Sequence, residues 1–380
     1  MTTQATALGN SGPGRPATYR AGDRMLRARL LERLSGIRGR IVVEDAFGLA
    51  ELGGDDAPGL PPIKVHVTVH RPDFYRQLAF NGSVGAGESF MDGDWDCDDL
   101  VGLVQLLVRN RDLLDRMEGG LAALGGWLMK RWHVLRRNTR SGSRRNIAAH
   151  YDLGNPLFSL FLDRNLMYSS AVFAHPAETL EVAATRKLDR ICHKLGLQPT
   201  DHVVEIGTGW GGFALHAARH YGCRVTTTTI SKEQHALASE RIAAAGLADR
   251  VDVLLQDYRD LDGRYDKLVS IEMVEAIGHQ YLDTYLAKCA SLLREDGLAL
   301  IQAITIEDHR YAQALRSVDF IKRHIFPGSF IPSISAITAA MARSSDLRLV
   351  NMEDIGPSYA LTLRAWRTRF MERLDQVRAL

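Results

Sequence analysis

Two regions of the chain differ in how apolar and polar residues alternate. In the first region, IRGRIVVEDAFG (37–48) and IKVHVTVH (63–70) alternate apolar and polar positions, a pattern typical of half-buried strands. RPDFYRQLAFNG (71–82) predicts a short helix that ends at its glycine, and the acidic GAGESFMDGDWDCDDL (85–100) predicts a loop. LVGLVQLLVRNRDLLDRM (100–117) has helical spacing. These patterns predict a small α+β N-terminal domain.

From residue 146 onward, strand-like and helix-like segments alternate. Five apolar segments are predicted as strands: HVVEIGTG (202–209), CRVTTTTIS (223–231), VDVLLQDY (251–258), DKLVSIEM (266–273) and GLALIQAIT (297–305). GGFALHAARHYG (211–222) and KEQHALASERIAAAG (232–246) have helical spacing and lie between strands. This alternation predicts an α/β fold with a doubly wound, mostly parallel sheet and helices on both faces. LRLVNMEDI (347–355) is predicted as a sixth strand.

Composition narrows the class of protein. The chain has 380 residues, and Lys+Arg minus Asp+Glu is 47 − 45 = +2, which argues against a nucleic-acid-binding protein. The four cysteines are scattered without a CxxC pair, so we predict neither a disulfide framework nor a metal site. No apolar run approaches the roughly 20 residues that span a bilayer, and the first residues lack an apolar signal core. We therefore expect a cytoplasmic protein.

Four segments are predicted along the chain. Residues 1–22, rich in Gly, Thr, Ala and Pro, are expected to form a disordered arm. Residues 23–115 form the N-terminal domain, 116–145 an amphipathic basic helix or linker, and 146–380 the domain with the parallel sheet. The basic residues near the linker are Lys130, Arg131, Arg136, Arg137, Arg140, Arg144 and Arg145. Two interpretations stay open: a solvated helix, or a surface on anionic lipid, where each basic side chain contributes about 1 kcal/mol.

The strongest chemical signal is the glycine-rich turn EIGTGWGG (205–212), which joins a buried strand to a helix. Glycines allow a tight turn and let a ligand lie against the main chain. Gly207, Gly209 and Gly212 also satisfy the GxGxxG pattern of dinucleotide-binding proteins. Those proteins place an acid at the end of the second strand, whereas residues 226–231 are TTTTIS. The nicotinamide interpretation is thereby weakened, and a turn without any ligand is the remaining alternative.

Eight segments that occur in order make the chain recognisable. They are HYDLGNPLF (150–158), MYSS (167–170), EIGTGWGG (205–212), TISKEQ (229–234), LLQDYRDL (254–261), EMVEAIG (272–278), IFPGSFIPS (325–333) and SYALTLRAW (358–366). Together they resemble the cyclopropane-fatty-acyl-phospholipid synthase family, which includes the mycolic acid cyclopropane synthases. GESFMDGDWD (87–96) is similar to the N-terminal domain of the phospholipid-acting members, so the resemblance begins at about residue 65.

The resemblance implies a Rossmann-like methyltransferase that uses S-adenosylmethionine to methylate the double bond of an unsaturated acyl chain. The implied cofactor contacts are Tyr168 and Ser169 at the methionine end, Gly207, Gly209 and Gly211 along the main chain, and Thr229, Ile230, Gln234, Asp257 and Tyr258 around the ribose and adenine. Glu205 supplies a negative charge that suits a cationic sulfonium. No metal is implied.

The resemblance also implies a bound bicarbonate, which removes a proton after methyl transfer so that a cyclopropane ring closes. The implied catalytic residues are Glu275, Tyr359, Ser170, Gln302 and, through its main chain, Ile304. Three positions depart from the family: Ser170 replaces a Cys, and Ala276 and Gln302 each replace a His. Gln302 can donate a hydrogen bond but cannot carry a proton. The product is therefore open between a cyclopropane and a methylene branch, which a partner reductase would convert to a methyl branch.

Each candidate also has a purely structural interpretation. Glu275 fits an acid at a helix N-terminus, Tyr359 fits a core tyrosine, and His150 and Asp152 fit a cap or a hinge. Four aromatic residues either wall an acyl tunnel or belong to the core: Phe320, Phe326, Phe330 and Trp366.

The expected partner is an unsaturated phospholipid, reached peripherally at the membrane surface, and a homodimer is a further expectation. Family members usually continue beyond the TLxAW helix into another helix and an antiparallel strand, so we expect this chain to lack that strand. Two other functions stay open. One is methylation of a small soluble acceptor, such as a polyketide or an amine, and the other is lipid binding by a module with a decayed catalytic site.

Overall fold

The computed structural model describes residues 20–113 and 154–380, apart from positions 55, 57 and 58. The predictions that fall outside the described residues are most of the N-terminal arm, the basic helix or linker, His150 and Asp152. Within the described ranges, no helix is long and apolar enough to cross a membrane.

The chain divides into two compact units. The N-terminal unit comprises residues 1–135 and 317–324, and the C-terminal unit comprises residues 136–316 and 325–380. A π-helical turn occupies Ile321–Ile325.

Among the described residues, the N-terminal unit contains a four-stranded sheet and three helices. Its elements in chain order are α1 Ala21–Leu34, β1 Arg40–Asp45, β2 Gly48–Gly53, β3 Lys64–Val69, α2 Asp73–Met91, β4 Trp95–Cys97 and α3 Leu100–Arg109. The strand order is β2-β1-β3-β4; β1 and β3 are parallel and the two outer pairs are antiparallel. Val65, Val67 and Val69 are buried and the positions between them are not, which confirms the predicted alternation in β3.

Between Gly82 and β4, tertiary packing determines the secondary structure, and the local sequence pattern does not. The acidic stretch predicted as a loop is instead helical as far as Met91, and Gly82 (φ 57°, ψ −137°) kinks the helix without ending it. The reason is tertiary: the Trp95 ring packs 5.1 Å from the Phe90 ring, and its Nε1 donates to the carbonyl of Ala86. Burial of these aromatic rings holds the segment against the sheet.

In the part of the C-terminal unit that the structure describes, helices alternate with five strands. Its strands and intervening helices are α4 Gly154–Phe161, α5 Leu180–Leu195, β5 His202–Ile206, α6 Gly212–Tyr221, β6 Arg224–Thr229, α7 Lys232–Ala244, β7 Val251–Leu255, β8 Tyr265–Ile271, α8 Leu282–Leu292, β9 Leu293–Gln302, α9 Asp308–Arg316, α10 Ile334–Ser344, α11 Gly356–Glu372 and α12 Leu374–Arg378. Short 3₁₀ turns lie at Tyr258–Asp260, Val274–Ala276 and His279–Tyr281.

The five strands form one parallel sheet in the order β7-β6-β5-β8-β9. Adjacent residues of a strand point to opposite faces, and those of β5 enter two different cores. Val203 packs in a cluster with α5 and α6, while Val204 packs in a cluster with α8 and α10. Helices therefore cover both faces, which confirms the predicted doubly wound α/β fold.

The sixth predicted strand, LRLVNMEDI (347–355), is wrong. The segment has neither strand nor helix structure, and Leu349, Val350 and Met352 are exposed. A strand needs a neighbour for its backbone N–H and C=O groups, and no described strand pairs with this segment. Among the described residues, the elements after β9 are helices, with an isolated bridge between Ile306 and Ser333.

Candidate active site

Nine of the predicted site residues lie at one edge of the parallel sheet, because each follows the carboxyl end of a strand. They are Gly207, Gly209 and Gly211 after β5, Ile230 and Gln234 after β6, Asp257 and Tyr258 after β7, Glu275 after β8 and Ile304 after β9. In sheets of this kind the chain leaves the central strand toward opposite faces, which opens a crevice at this edge. The fold thus brings the candidate residues from five separate segments to the place where such folds bind ligands.

The glycine turn after β5 exposes main-chain atoms that no side chain covers. The N–H groups of Gly207 and Thr208 both donate to the carbonyl of Thr228, at 3.1 and 3.0 Å, which fixes the turn against the end of β6. Gly207 has φ 102°, and a Cβ there would lie 3.1 Å from the Cγ of Met273. Gly209 has φ 52° and would meet nothing within 4 Å. The turn therefore requires glycine and borders open space, as a main-chain cradle for a ligand does.

Polar side chains after β6 and β7 continue the cradle. The Oγ1 of Thr229 donates to Oε1 of the buried Gln234 at 2.9 Å. The carboxylate of Asp257 accepts from the Nε and NH2 groups of Arg259 at 2.8 and 2.7 Å. The buried hydroxyl of Tyr258 has no hydrogen-bond partner among the described residues, and burial raises its pKa. These groups suit the hydroxyls and ring nitrogens of a nucleoside; Arg259 was not predicted from the sequence.

A buried lysine that the sequence analysis missed lies beside Glu205. Lys187 of α5 is 1% exposed, and its Nζ donates to Oγ of Ser169 at 2.5 Å. Burial lowers its pKa to about 8, although Glu272, Asp163 and Glu205 each favour its charged form. Burial raises the pKa of Glu205 to about 8, while a hydrogen bond from Thr227 (2.6 Å) and the charge of Lys187 oppose the shift.

Glu272, also missed, sits where three predicted catalytic residues converge. Its Oε1 accepts from the N–H of Ser170 and from Nε2 of Gln302, both at 2.8 Å. Its Oε2 accepts from the hydroxyl of Tyr359 at 3.4 Å. Glu272 also has φ 48°, a left-handed conformation that costs a non-glycine residue about 1–3 kcal/mol. Burial raises its pKa, and Lys187 and the three donors oppose that shift.

Glu275 lies in the 3₁₀ turn Val274–Ala276, close enough to Glu272 for their charges to interact. Its Oε1 accepts from the N–H of Ile304 at 2.5 Å, so the predicted main-chain contact of Ile304 is made to Glu275 itself. Its buried Oε2 has no partner within the described part of the chain. Burial and the charge of Glu272 raise its pKa to about 8. Burial and the neighbouring negative charge thus both favour the protonated form of Glu275.

The charged cluster, as we call it, is anionic overall. It consists of Lys187 and four carboxylates, those of Asp163, Glu205, Glu272 and Glu275. With Glu205 and Glu275 both protonated, the carboxylates of Asp163 and Glu272 still face one ammonium group. Such a cluster attracts a cation and repels a phosphate, because like charges at low dielectric interact strongly.

An aromatic cluster adjoins Tyr168. The ring of Tyr168 packs 5.1 Å from Phe158 and 5.3 Å from Trp366, and 6.2 Å from the exposed Phe326. The four aromatic residues proposed as a tunnel wall do not form one group. Phe330 belongs to the core cluster that contains α8 and α10, and Phe320 belongs to the N-terminal unit.

Comparison with known proteins identifies relatives of the whole C-terminal unit. The model of the family described as mycolic acid cyclopropane synthetase matches residues 138–380. Tuberculostearic acid methyltransferase UfaA1 of Mycobacterium tuberculosis is 41% identical over 316 residues, 81% of this chain and 73% of that protein. Cyclopropane-fatty-acyl-phospholipid synthase of Escherichia coli K12 is 38% identical over 319 residues, 82% of this chain and 78% of that protein.

Solved structures give the same result. The cyclopropane synthase MmaA2 of Mycobacterium tuberculosis is similar with a TM-score of 0.58 and 29% identity, covering 62% of this chain and 86% of that one. The mycolic acid cyclopropane synthase CmaA1, solved in complex with SAH and CTAB, is similar with a TM-score of 0.57 and 31% identity, over the same shares of the two chains.

Proposed function

Because this chain belongs to the mycolic acid cyclopropane synthetase family, and is thus an S-adenosylmethionine-dependent methyltransferase, we propose that it methylates the double bond of an unsaturated fatty-acyl chain in a phospholipid. The product is a cyclopropane or a methylene-branched chain, and the second would need a reductase partner to become a methyl branch. The reaction takes place at the membrane surface.

The residues present fit the cofactor. The turn at Gly207 and Gly209 offers main-chain atoms to a ligand, and a side chain at position 207 would crowd Met273. Thr229 and Gln234, with the partnerless hydroxyl of Tyr258, suit the ribose and adenine. When bound, S-adenosylmethionine supplies an electrophilic methyl group on a positively charged sulfur, and Ser169 and Tyr168 would lie at that end.

The observation that carries the proposal is the anionic charged cluster beside the glycine turn. An alkene is a weak nucleophile, and methyl transfer to it leaves a carbocation. Fixed negative charge in a site shielded from water stabilises both the sulfonium and that cation. The same charges disfavour the pyrophosphate of a nicotinamide dinucleotide, whose sites are built from N–H groups and an acid on the ribose.

Two features support a lipid substrate. The aromatic cluster around Tyr168 is mostly buried, and its exposed member Phe326 presents an apolar ring of the kind that an acyl chain requires. In the N-terminal unit, Val101, Val104 and Val108 form an exposed stripe on α3, with exposures of 43%, 52% and 62%. Spacing of three and four residues places them on one helix face, and an apolar face of this kind suits peripheral contact with a membrane.

The proposal is tested with the purified chain, S-adenosylmethionine and anionic vesicles of a monounsaturated phospholipid. We expect fatty chains released from the vesicles to gain the mass of one CH2 unit in gas chromatography–mass spectrometry. Vesicles of the matching saturated phospholipid should gain nothing. Methylation of soluble acceptors together with unchanged acyl chains would overturn the proposal in favour of a small-molecule methyltransferase.

A further inference from the structure

We propose that Glu272 is the base that accepts the proton after methyl transfer, so that the protein's own carboxylate takes the place expected for bicarbonate. The inference rests on the proposed function and concerns its second step. The residue was not among the candidates from the sequence.

The hydrogen bonds carry the argument. Ser170, Gln302 and Tyr359, three of the residues expected to surround a bound bicarbonate, all donate to the carboxylate of Glu272. A carboxylate and a bicarbonate present the same pair of acceptor oxygens. With Glu272 in this position, the donors are already engaged by an anion that belongs to the chain.

The glutamine at position 302 fits this arrangement better than a histidine would. Nε2 of Gln302 donates one N–H to Glu272 (2.8 Å) and is also 3.2 Å from the carbonyl of Ser170. A primary amide has two N–H groups on one nitrogen, whereas each imidazole nitrogen has at most one. Gln302 is thus a positioning residue that ties Glu272 to the segment of Ser170.

The neighbouring acid makes the assignment to Glu272 specific. Glu275 receives hydrogen bonds from main-chain N–H groups, including that of Ile304, and faces the negative charge of Glu272. Glu272 receives three hydrogen bonds and lies near the ammonium of Lys187. Donors and a nearby cation favour the ionised form, so Glu272 is the acid of the pair that stays able to accept a proton.

The step balances without a further reactant. The π electrons of the alkene form the new C–C bond as the C–S bond breaks, and the other alkene carbon becomes cationic. A C–H bond of the new methyl group then breaks, its proton passes to Glu272, and its electron pair closes the ring. If a hydride first moves from the methylated carbon to the cationic carbon, loss of a proton from the new methyl group gives a methylene branch. Neither route consumes an oxidant or a reductant.

The experiment measures acyl methylation by the full chain on monounsaturated vesicles, in buffer with and without bicarbonate. We expect wild type to keep its rate when bicarbonate is removed. Glu272→Ala should lose about 100-fold in rate, the usual effect of a general base, and recover about 10-fold when formate or bicarbonate is added. Glu295→Ala removes an exposed glutamate of β9 and should match wild type in every condition.

If Glu272→Ala does not fold, a second variant, Gln302→Leu, tests the assignment with the carboxylate of Glu272 still present. Loss of a donor to the ionised form raises the pKa of Glu272, so the acid limb of the pH–rate profile should move to higher pH. Dependence of wild type on added bicarbonate, or a Glu272→Ala rate within about 2-fold of wild type, would overturn the assignment. A wild-type chain that binds S-adenosylmethionine but methylates no acyl chain would contradict the proposed function itself, and the assignment with it.

Discussion

The two halves of the site are built in different ways. The nucleoside side comprises the residues that follow β5, β6 and β7, and its contacts are short in sequence: Thr229 bonds to Gln234 and Asp257 to Arg259. The carboxylate side comprises the residues that follow β8 and β9. There Glu272 bonds to Ser170, 102 positions away, and to Tyr359, 87 positions away. The half proposed to hold the cofactor is therefore encoded by local motifs, and the half proposed to transfer a proton is brought together only by the fold.

Lys187 interacts electrostatically with Glu205 at the start of the glycine turn and with Glu272 on the carboxylate side, so its removal should have the largest effect. Lys187→Met leaves Glu205 and Glu272 without their shared cation in a buried site. We expect the free energy of unfolding to fall by about 3–5 kcal/mol, the usual cost of leaving a buried charge without a compensating partner. Chemical denaturation followed by circular dichroism measures it.

The matched control for this prediction is Lys194→Met on the same helix. Lys194 is part-exposed and pairs with Glu353 at the surface, so we expect a change below about 1 kcal/mol. Equal losses for the two variants would mean that Lys187 contributes no more than a surface lysine.

Gly207→Ala should break the nucleoside side alone. At φ 102° an alanine is strained, and its Cβ would press on Met273 at 3.1 Å. We expect affinity for S-adenosylmethionine to fall about 100-fold in calorimetry, which corresponds to about 2.7 kcal/mol. Gly36→Ala, at a position where a Cβ would meet nothing within 4 Å, should bind like wild type. Unchanged affinity of the Gly207 variant would exclude the turn from the binding site.

The carboxylate side should affect the pH dependence of the free energy of unfolding, and this effect should be the smallest of those predicted here. Glu275 has its pKa raised from 4.5 to about 8, so between these pH values the folded state binds more protons than the unfolded state. The free energy of unfolding should then fall as pH rises through this window. Glu275→Gln should flatten that fall by about 1–2 kcal/mol between pH 5 and 8. Glu205 is shifted in the same direction, so some slope should remain; an unchanged slope would mean that Glu275 ionises normally.

The fold could be predicted because its signals are local. Each of the five strands of the parallel sheet is a short apolar run. The turn at Gly207 and Gly209 has positive φ at both positions, which favours glycine and makes the turn visible in the sequence. Local pattern also misled: residues 347–355 alternate like a strand but lack a partner strand. Pairing is a property of the whole sheet, and periodicity in one segment does not report it.

The carboxylate side could be predicted only in part. Glu275 was predicted because it lies in a recognisable motif. Glu272 lies at the end of an apolar run, where periodicity does not mark it as a site residue, and its hydrogen-bond partners are far away in sequence. Lys187 did leave a trace. Ala183, Ala184, Leu188 and Ile191 form the buried face of α5, and Lys187 falls among them at helical spacing. A lysine on the apolar face of a helix indicates a buried charge whose partners other segments must supply.

The central claim is that this site transfers a methyl group from S-adenosylmethionine to an acyl double bond and then removes a proton from that same group. S-adenosylmethionine with a fully deuterated methyl group tests both halves of the claim at once, using monounsaturated vesicles and mass spectrometry of the released fatty chains. The account predicts that the added carbon keeps two of its three deuterium atoms. Chains that carry no deuterium, or that keep all three, would contradict it.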